Sequence, residues 1–119
     1  MLRYHRFLIA RLWIAEYGSS EDPEACAWLH AYSPYHHVRP DTDYPATLLL
    51  TAEEDSRVDP LHARKMAALL QASILGRRPI LLRVDSRAGH GPGKPVSKLL
   101  EEQADAWTFL VWRLGLEQA

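Results

Sequence analysis

The stretch ATLLLTAEEDSRVDP, residues 46–60, decides how this chain folds. Its first half, Ala46 to Ala52, is a short and almost continuously apolar run, the pattern of a strand buried on both faces. Its end, Asp59-Pro60, supplies a helix N-cap followed by a proline in the first turn. Strand, acidic turn and helix start in immediate succession are the opening of a βα unit. Downstream, Leu61 to Leu75 has helical periodicity, with Leu61, Lys65, Ala68, Leu69 and Ala72 on neighbouring turns. Gly76-Arg77-Arg78-Pro79 breaks it, and Ile80 to Val84 (ILLRV) reads as a second strand of the buried type. After the glycine-rich AGHGPG, residues 88–93, the longest helix is expected over Pro95 to Leu114. Its apolar stripe is Val96, Leu99, Leu100, Trp107, Leu110, Val111 and Leu114.

Upstream, Asp22 to Tyr32 (DPEACAWLHAY) opens on an Asp-Pro start signal and places Ala25, Trp28, Leu29 and Tyr32 on one face of a short helix. Ser33-Pro34 ends it, and a polar, proline-rich loop leads to residue 46. Helix, strand, helix, strand, helix is the order of an α/β protein with a parallel sheet covered by helices. Two strands alone leave both sheet edges open, with unpaired main-chain groups and apolar faces. The sequence therefore reads as part of a sheet.

Length and composition agree with a single globular unit. The chain has 119 residues, 47% hydrophobic and 24% charged, which places it away from disordered sequences. Fourteen Lys and Arg against fifteen Asp and Glu give a net charge of −1, so no basic stripe favours nucleic acid. One cysteine, Cys26, makes no internal disulfide or multi-cysteine zinc site and suits a small buried position within its helix. No apolar run approaches the roughly 20 residues of a membrane span. The opening MLRYHRFLIARLWI has arginines at 3, 6 and 11 and no unbroken apolar core, unlike a secretory signal, so a cytoplasmic location is expected.

In open parallel sheets, reactive groups gather at the carboxyl ends of the strands. Asp55 follows the first strand there, and His90, between Gly89 and Gly91, follows the second. The glycines are expected to let the backbone turn sharply and leave the imidazole accessible. An Asp and then a His on successive post-strand loops match the last two members of a Ser, Asp, His triad in α/β-hydrolase order. The competing reading is a pair of solvated loop residues. No G-x-S-x-G elbow occurs among the seven serines, and no strand–turn–helix that could carry one precedes Asp55. These residues alone are therefore expected to be inactive in acyl transfer. His36-His37 makes a weak metal site, because adjacent side chains diverge and no third ligand follows at useful spacing. Tyr17, Tyr32 and Tyr35 are read as packing and turn residues.

The segments WIAEYGS (13–19), LHAYSPYHHV (29–38), YPATLLLTAEEDSRVDP (44–60) and AGHGPGKP (88–95) resemble the prolyl oligopeptidase family of serine peptidases, in register over nearly the whole chain. The resemblance implies that residues 1–119 are the C-terminal portion of an α/β-hydrolase catalytic domain. The family's β-propeller, first sheet strands and serine elbow would lie upstream of Met1. It implies that Asp55 and His90 are the triad acid and base and that Arg57 binds the substrate main chain. Trp13 would stack on the substrate proline and set cleavage after that residue in short peptides. An indole face suits a rigid pyrrolidine ring, and a guanidinium suits a carbonyl acceptor. Trp13 also fits a core position, and Arg57 a solvated charge paired with Glu53 or Glu54.

The resemblance implies no metal or organic cofactor. The expected partners are a proline-containing peptide and the upstream part of the same protein, with no nucleic acid and no membrane. Ser56, His37 and Ala10-Arg11-Leu12 depart from the family pattern, the last just before Trp13. A sister group that cleaves after basic residues shares the YSPY and AGHG elements, whereas Gly93-Lys94-Pro95 and Arg57 favour the proline-specific group. The alternative expectation is a non-catalytic remnant that covers its open sheet edge by self-association or by docking on another chain.

Overall fold

The computed structural model describes residues 1–86, 88–90 and 94–116. Two 3₁₀ segments, Tyr4–Arg6 and Leu8–Trp13, run into the short helix α1 (Ile14–Tyr17). Helix α2 (Pro23–Ala31) and a 3₁₀ turn (Pro34–His37) precede strand β1 (Thr47–Ala52). Helix α3 (Leu61–Ser73), strand β2 (Ile80–Asp85) and helix α4 (Val96–Leu114) complete the described chain. The strands pair in parallel, from Thr47 opposite Ile80 to Ala52 opposite Asp85, with α3 as the crossover. Both strands thus end at one level, and both following loops leave the same edge.

Local chemistry explains the boundaries. Asp22 caps α2 by accepting the Ala25 N–H at 2.7 Å, with Pro23 in the first turn. Helix α3 starts at Leu61 as expected, with Pro60 rather than Asp59 as the cap residue, yet Asp59 still accepts the Leu61 N–H at 2.9 Å. It ends two residues before Leu75, because Ile74 leaves the helix to bridge Thr42. There the Thr42 N–H donates to the Ser73 carbonyl and the Leu75 N–H to the Thr42 carbonyl, which extends the parallel pairing ahead of β1. Gly18 closes α1 with φ +81°, where a Cβ would lie 2.9 Å from that of Ala25. Only glycine serves there without strain.

Packing differs from the sequence expectation in three places. On α2 the buried residues are Ala25 and Leu29, while Trp28 and Tyr32 lie half in solvent, although the Trp28 indole N–H still donates to the Tyr17 carbonyl at 3.4 Å. Leu29 joins Tyr4 and Ala10 in a core cluster bordered by Met1, Leu2 and Trp13. Cys26 is only half-buried. The strands are not buried on both faces, and Leu50, Leu81 and Val84 are exposed, since the helices present cover only part of a two-stranded sheet. Helix α4 buries none of its residues, and Val96, Leu100, Trp107, Leu110 and Leu114 of its stripe are exposed. It faces the sheet across a groove of about 400 Å³ lined by Leu48, Leu82, Phe109 and Trp112 among others. No described helix is long and apolar enough to cross a membrane.

Candidate active site

The two post-strand loops are stitched together beyond the strands. The Glu53 N–H donates to the Asp85 carbonyl at 2.9 Å, and the Glu54 N–H to the Ala88 carbonyl at 3.1 Å. This continuation of the parallel pairing brings together two side chains that are 35 positions apart. Asp55 Oδ2 and His90 Nδ1 lie 2.7 Å from each other. The other carboxylate oxygen, Oδ1, accepts the N–H groups of Arg57 at 2.9 Å and Val58 at 2.8 Å. That is an Asx-type turn, in which an aspartate side chain satisfies the main chain just ahead of it. The Asp55 side chain is 11% exposed and that of His90 40%.

Burial pushes the Asp55 carboxyl up. The opposing hydrogen bonds from Val58, the His90 ring and Arg57 together outweigh it and hold the group below its ordinary value. An ionised carboxylate only accepts, so the proton in the Asp55–His90 bond belongs to Nδ1. The neutral ring then carries its lone pair on Nε2, which bonds to no described residue, so Nε2 is the atom able to take up a proton. The expected need for glycine at 89 is not met. Its φ lies outside the left-handed region and an added Cβ would meet only the Glu54 carbonyl at an ordinary 3.8 Å. Gly91 lies outside the described residues.

Trp13 and Arg57 also come together. The Arg57 guanidinium carbon lies 6.0 Å from the centre of the Trp13 indole, within cation–π range. Among the described residues Arg57 makes no ion pair with Glu53 or Glu54. Both side chains line a cavity of about 960 Å³ whose wall includes Tyr17, Val58, Phe7 and His62. Val58 links that cavity to the Asp55–His90 pair, since its N–H holds the carboxylate. Trp13 borders the core cluster as well as the cavity, so its packing and lining positions coincide.

The other singled-out groups are otherwise engaged. His36 Nδ1 meets the Ser33 hydroxyl at 2.7 Å and His37 Nδ1 the Ser33 carbonyl at 2.9 Å. Burial, followed by the positive charge of the N-terminus and neighbouring His30, His37 and Lys65, lowers the pKa of His36. Ser33 is fully buried and accepts from the Met1 ammonium, so its contact with His36 is not an exposed nucleophile and base. Tyr17 packs edge-on against Tyr4, and Lys65 sits over the Tyr35 ring. Sequence reasoning missed the main-chain donors of Arg57 and Val58, although the Asp-Ser-Arg-Val spacing is an Asx-turn signal. It also missed the ion pairs around Asp85, a strand-end residue with no local signature.

A parallel βαβ unit with an Asp and a His joined across its carboxyl-edge loops is part of an α/β-hydrolase fold. A family model described as the prolyl oligopeptidase family matches residues 1–117, and the chain belongs to that family. It is 44% identical over 117 residues to prolyl oligopeptidase A of Amanita bisporigera, covering 98% of this chain and 15% of that protein. The prolyl endopeptidase of Elizabethkingia miricola is 38% identical over 118 residues, covering 98% and 17%. Among solved structures, one from a study of two prolyl endopeptidases and their inter-domain dynamics superimposes with a TM-score of 0.93 at 50% identity, covering 98% of this chain and 17% of that one. Prolyl oligopeptidase B of Galerina marginata, bound to a 35mer hydrolysis and macrocyclisation substrate, gives a TM-score of 0.86 at 37% identity, covering 97% and 16%. Its substrate-bound structures carry single replacements of a histidine, a serine or an aspartate by alanine. This chain thus spans about one-sixth of the relatives it matches.

Proposed function

We propose that residues 1–119 are the C-terminal catalytic-domain segment of a serine endopeptidase that cleaves short peptides after proline. The observation that carries the reading is the 2.7 Å contact between Asp55 Oδ2 and His90 Nδ1 at the carboxyl edge of the sheet. In this reading His90 Nε2 takes the proton of a serine supplied by the upstream part of the same protein, then gives it to the leaving amine. Water repeats the cycle to release the acyl group. Asp55 holds the ring in the required tautomer and stabilises the imidazolium that forms. Trp13 receives the substrate proline on its indole face and Arg57 binds the substrate main chain, a pairing supported by their shared cavity. The mechanism calls for no metal or organic cofactor.

Two measurements test this. The intact mass of the native gene product should be several times 13.6 kDa, with a serine elbow in the added residues. A native product of 13.6 kDa would remove the nucleophile and the reading with it. The larger product should release a chromogenic amine placed after proline and not one placed after arginine, and His90→Ala should abolish that release. Retained cleavage by His90→Ala would sink the assignment.

The exposed α4 stripe and open sheet faces favour one other reading, a non-catalytic remnant that self-associates or docks on a partner chain. Size-exclusion chromatography bears on it directly, since a compact monomer of the 119 residues contradicts it.

A further inference from the structure

The His90 loop runs from Asp85, the last residue of β2, to Lys94, just ahead of α4. Asp85 is 2% exposed, and three cations surround it: Lys94 Nζ at 3.5 Å, Lys98 Nζ at 3.5 Å and the Arg83 guanidinium at 3.8 Å. Its Oδ2 makes no hydrogen bond among the described residues, so ion pairing is what compensates that oxygen. The Lys94 side chain is 8% exposed and lies between two carboxylates, Asp85 on the strand and Glu102 on α4, with the closer contact to Glu102. Its ammonium is held above its ordinary pKa by the Glu102 bond, against the effect of burial.

An apolar side chain of similar length would fill this space without the desolvation that a buried ion pair costs. What the ammonium adds is a fixed meeting point for three elements: the end of β2, the end of the His90 loop and the second turn of α4. Helix α4 buries no side chain of its own, and its ion pairs toward the strand end include Lys98–Asp85, Glu102–Lys94 and the Arg83–Asp105 bond at 2.6 Å. The loop that presents His90 is therefore tied at its two ends to each other, four and five residues from the imidazole.

We propose that Lys94, through Asp85 and Glu102, is a positioning residue that holds His90 in line with Asp55 and the attacking serine. This rests on the reading of Asp55 and His90 as triad members. The test uses the complete peptidase in which these residues are joined to the segment that supplies the serine. Lys94→Met should lower kcat about 10- to 100-fold with KM within about twofold of the parent, because a base displaced by a fraction of an ångström loses its proton-transfer geometry while the peptide still binds. The rate of serine phosphorylation by diisopropyl fluorophosphate should fall by a similar factor, with full final stoichiometry. Lys94→Arg, which keeps the charge and the reach, should recover most of both rates.

Wild-type kcat and labelling rate in Lys94→Met would overturn the proposal. So would a loss of kcat matched by an equal loss of labelling stoichiometry, since that reports unfolded enzyme, or a rise in KM alone. Failure of the triad reading shows separately. If the parent enzyme is neither active nor labelled, or if His90→Ala still cleaves, that reading falls and takes this one with it.

Discussion

The loop after β1 presents Asp55 through its own main chain, whereas the loop after β2 presents His90 between ion-paired ends. Asp55 Oδ1 closes an Asx-type turn onto the N–H groups of Arg57 and Val58, so a few consecutive residues set the position of the carboxylate. Among the described residues His90 has one side-chain bond, to Asp55, and its loop is fixed at its two ends by Asp85 and Lys94, which meet each other and Glu102 of α4. A turn held by local hydrogen bonds forms wherever its few residues meet. A loop held by charged ends needs the strand, the helix and the exclusion of water around Asp85 all in place. Asp55 is placed locally and His90 is placed by tertiary structure.

That comparison breaks most sharply at the imidazole. In the complete peptidase, His90→Ala is expected to lower kcat about 10⁶-fold, leaving only the catalysis that binding and oxyanion contacts supply. Asp55→Asn is the sharper probe of the first loop. Its carbonyl oxygen still accepts the Arg57 and Val58 N–H groups, so the turn survives, but the charge that fixes Nδ1–H and supports the imidazolium is gone. A fall of about 10⁴-fold in kcat is expected, with an unfolding midpoint at neutral pH only slightly below that of the parent. A shifted midpoint of several degrees would show that the carboxylate charge itself holds the turn.

Trp13→Ala tests the cavity wall beside the pair. Loss of an indole stacked on a proline ring should reduce kcat/KM about 10- to 100-fold for proline substrates, with little change in the labelling rate at serine. Equal losses for both would place Trp13 in packing alone.

The smallest effect is a pH dependence of stability. Because the folded state holds the Asp55 carboxyl below its ordinary value, ionised Asp55 stabilises the fold above about pH 4. That contribution disappears as pH falls through the lowered value. The stability difference between the parent and Asp55→Asn should therefore be largest near neutrality and shrink in acid. A difference that grows on acidification would reverse the assigned direction.

The two strands and the three longer helices were legible because their signals are local, whereas the 3₁₀ segments and α1 of the first 17 residues were not foreseen. Asp22-Pro23, Asp59-Pro60, ATLLLTA and ILLRV mark starts and strands by capping chemistry and hydrophobic run length, and the helix boundaries fall within two residues of expectation. Asp55 and His90 stood out because their positions after successive strands have a chemical meaning. Exposure was not legible in the same way. The apolar stripe of α4 and the apolar runs of β1 and β2 announce surfaces that want cover, but periodicity says nothing about whether a partner surface lies within these residues. Trp28 reaches the N-terminal segment through its bond to the Tyr17 carbonyl, yet it and Tyr32 stay half in solvent.

By itself, the sequence determined the α/β order, the caps and the family motifs, all carried by residues a few positions apart, and singled out Asp55 and His90 by their places after successive strands. Tertiary structure alone decided that Asp55 reaches His90, that Arg57 turns to Trp13 rather than to Glu53 or Glu54, and that Lys94 bridges Asp85 and Glu102. Each of those contacts joins residues on different elements. Their geometry depends on strand register and loop closure, which no local pattern of residues encodes.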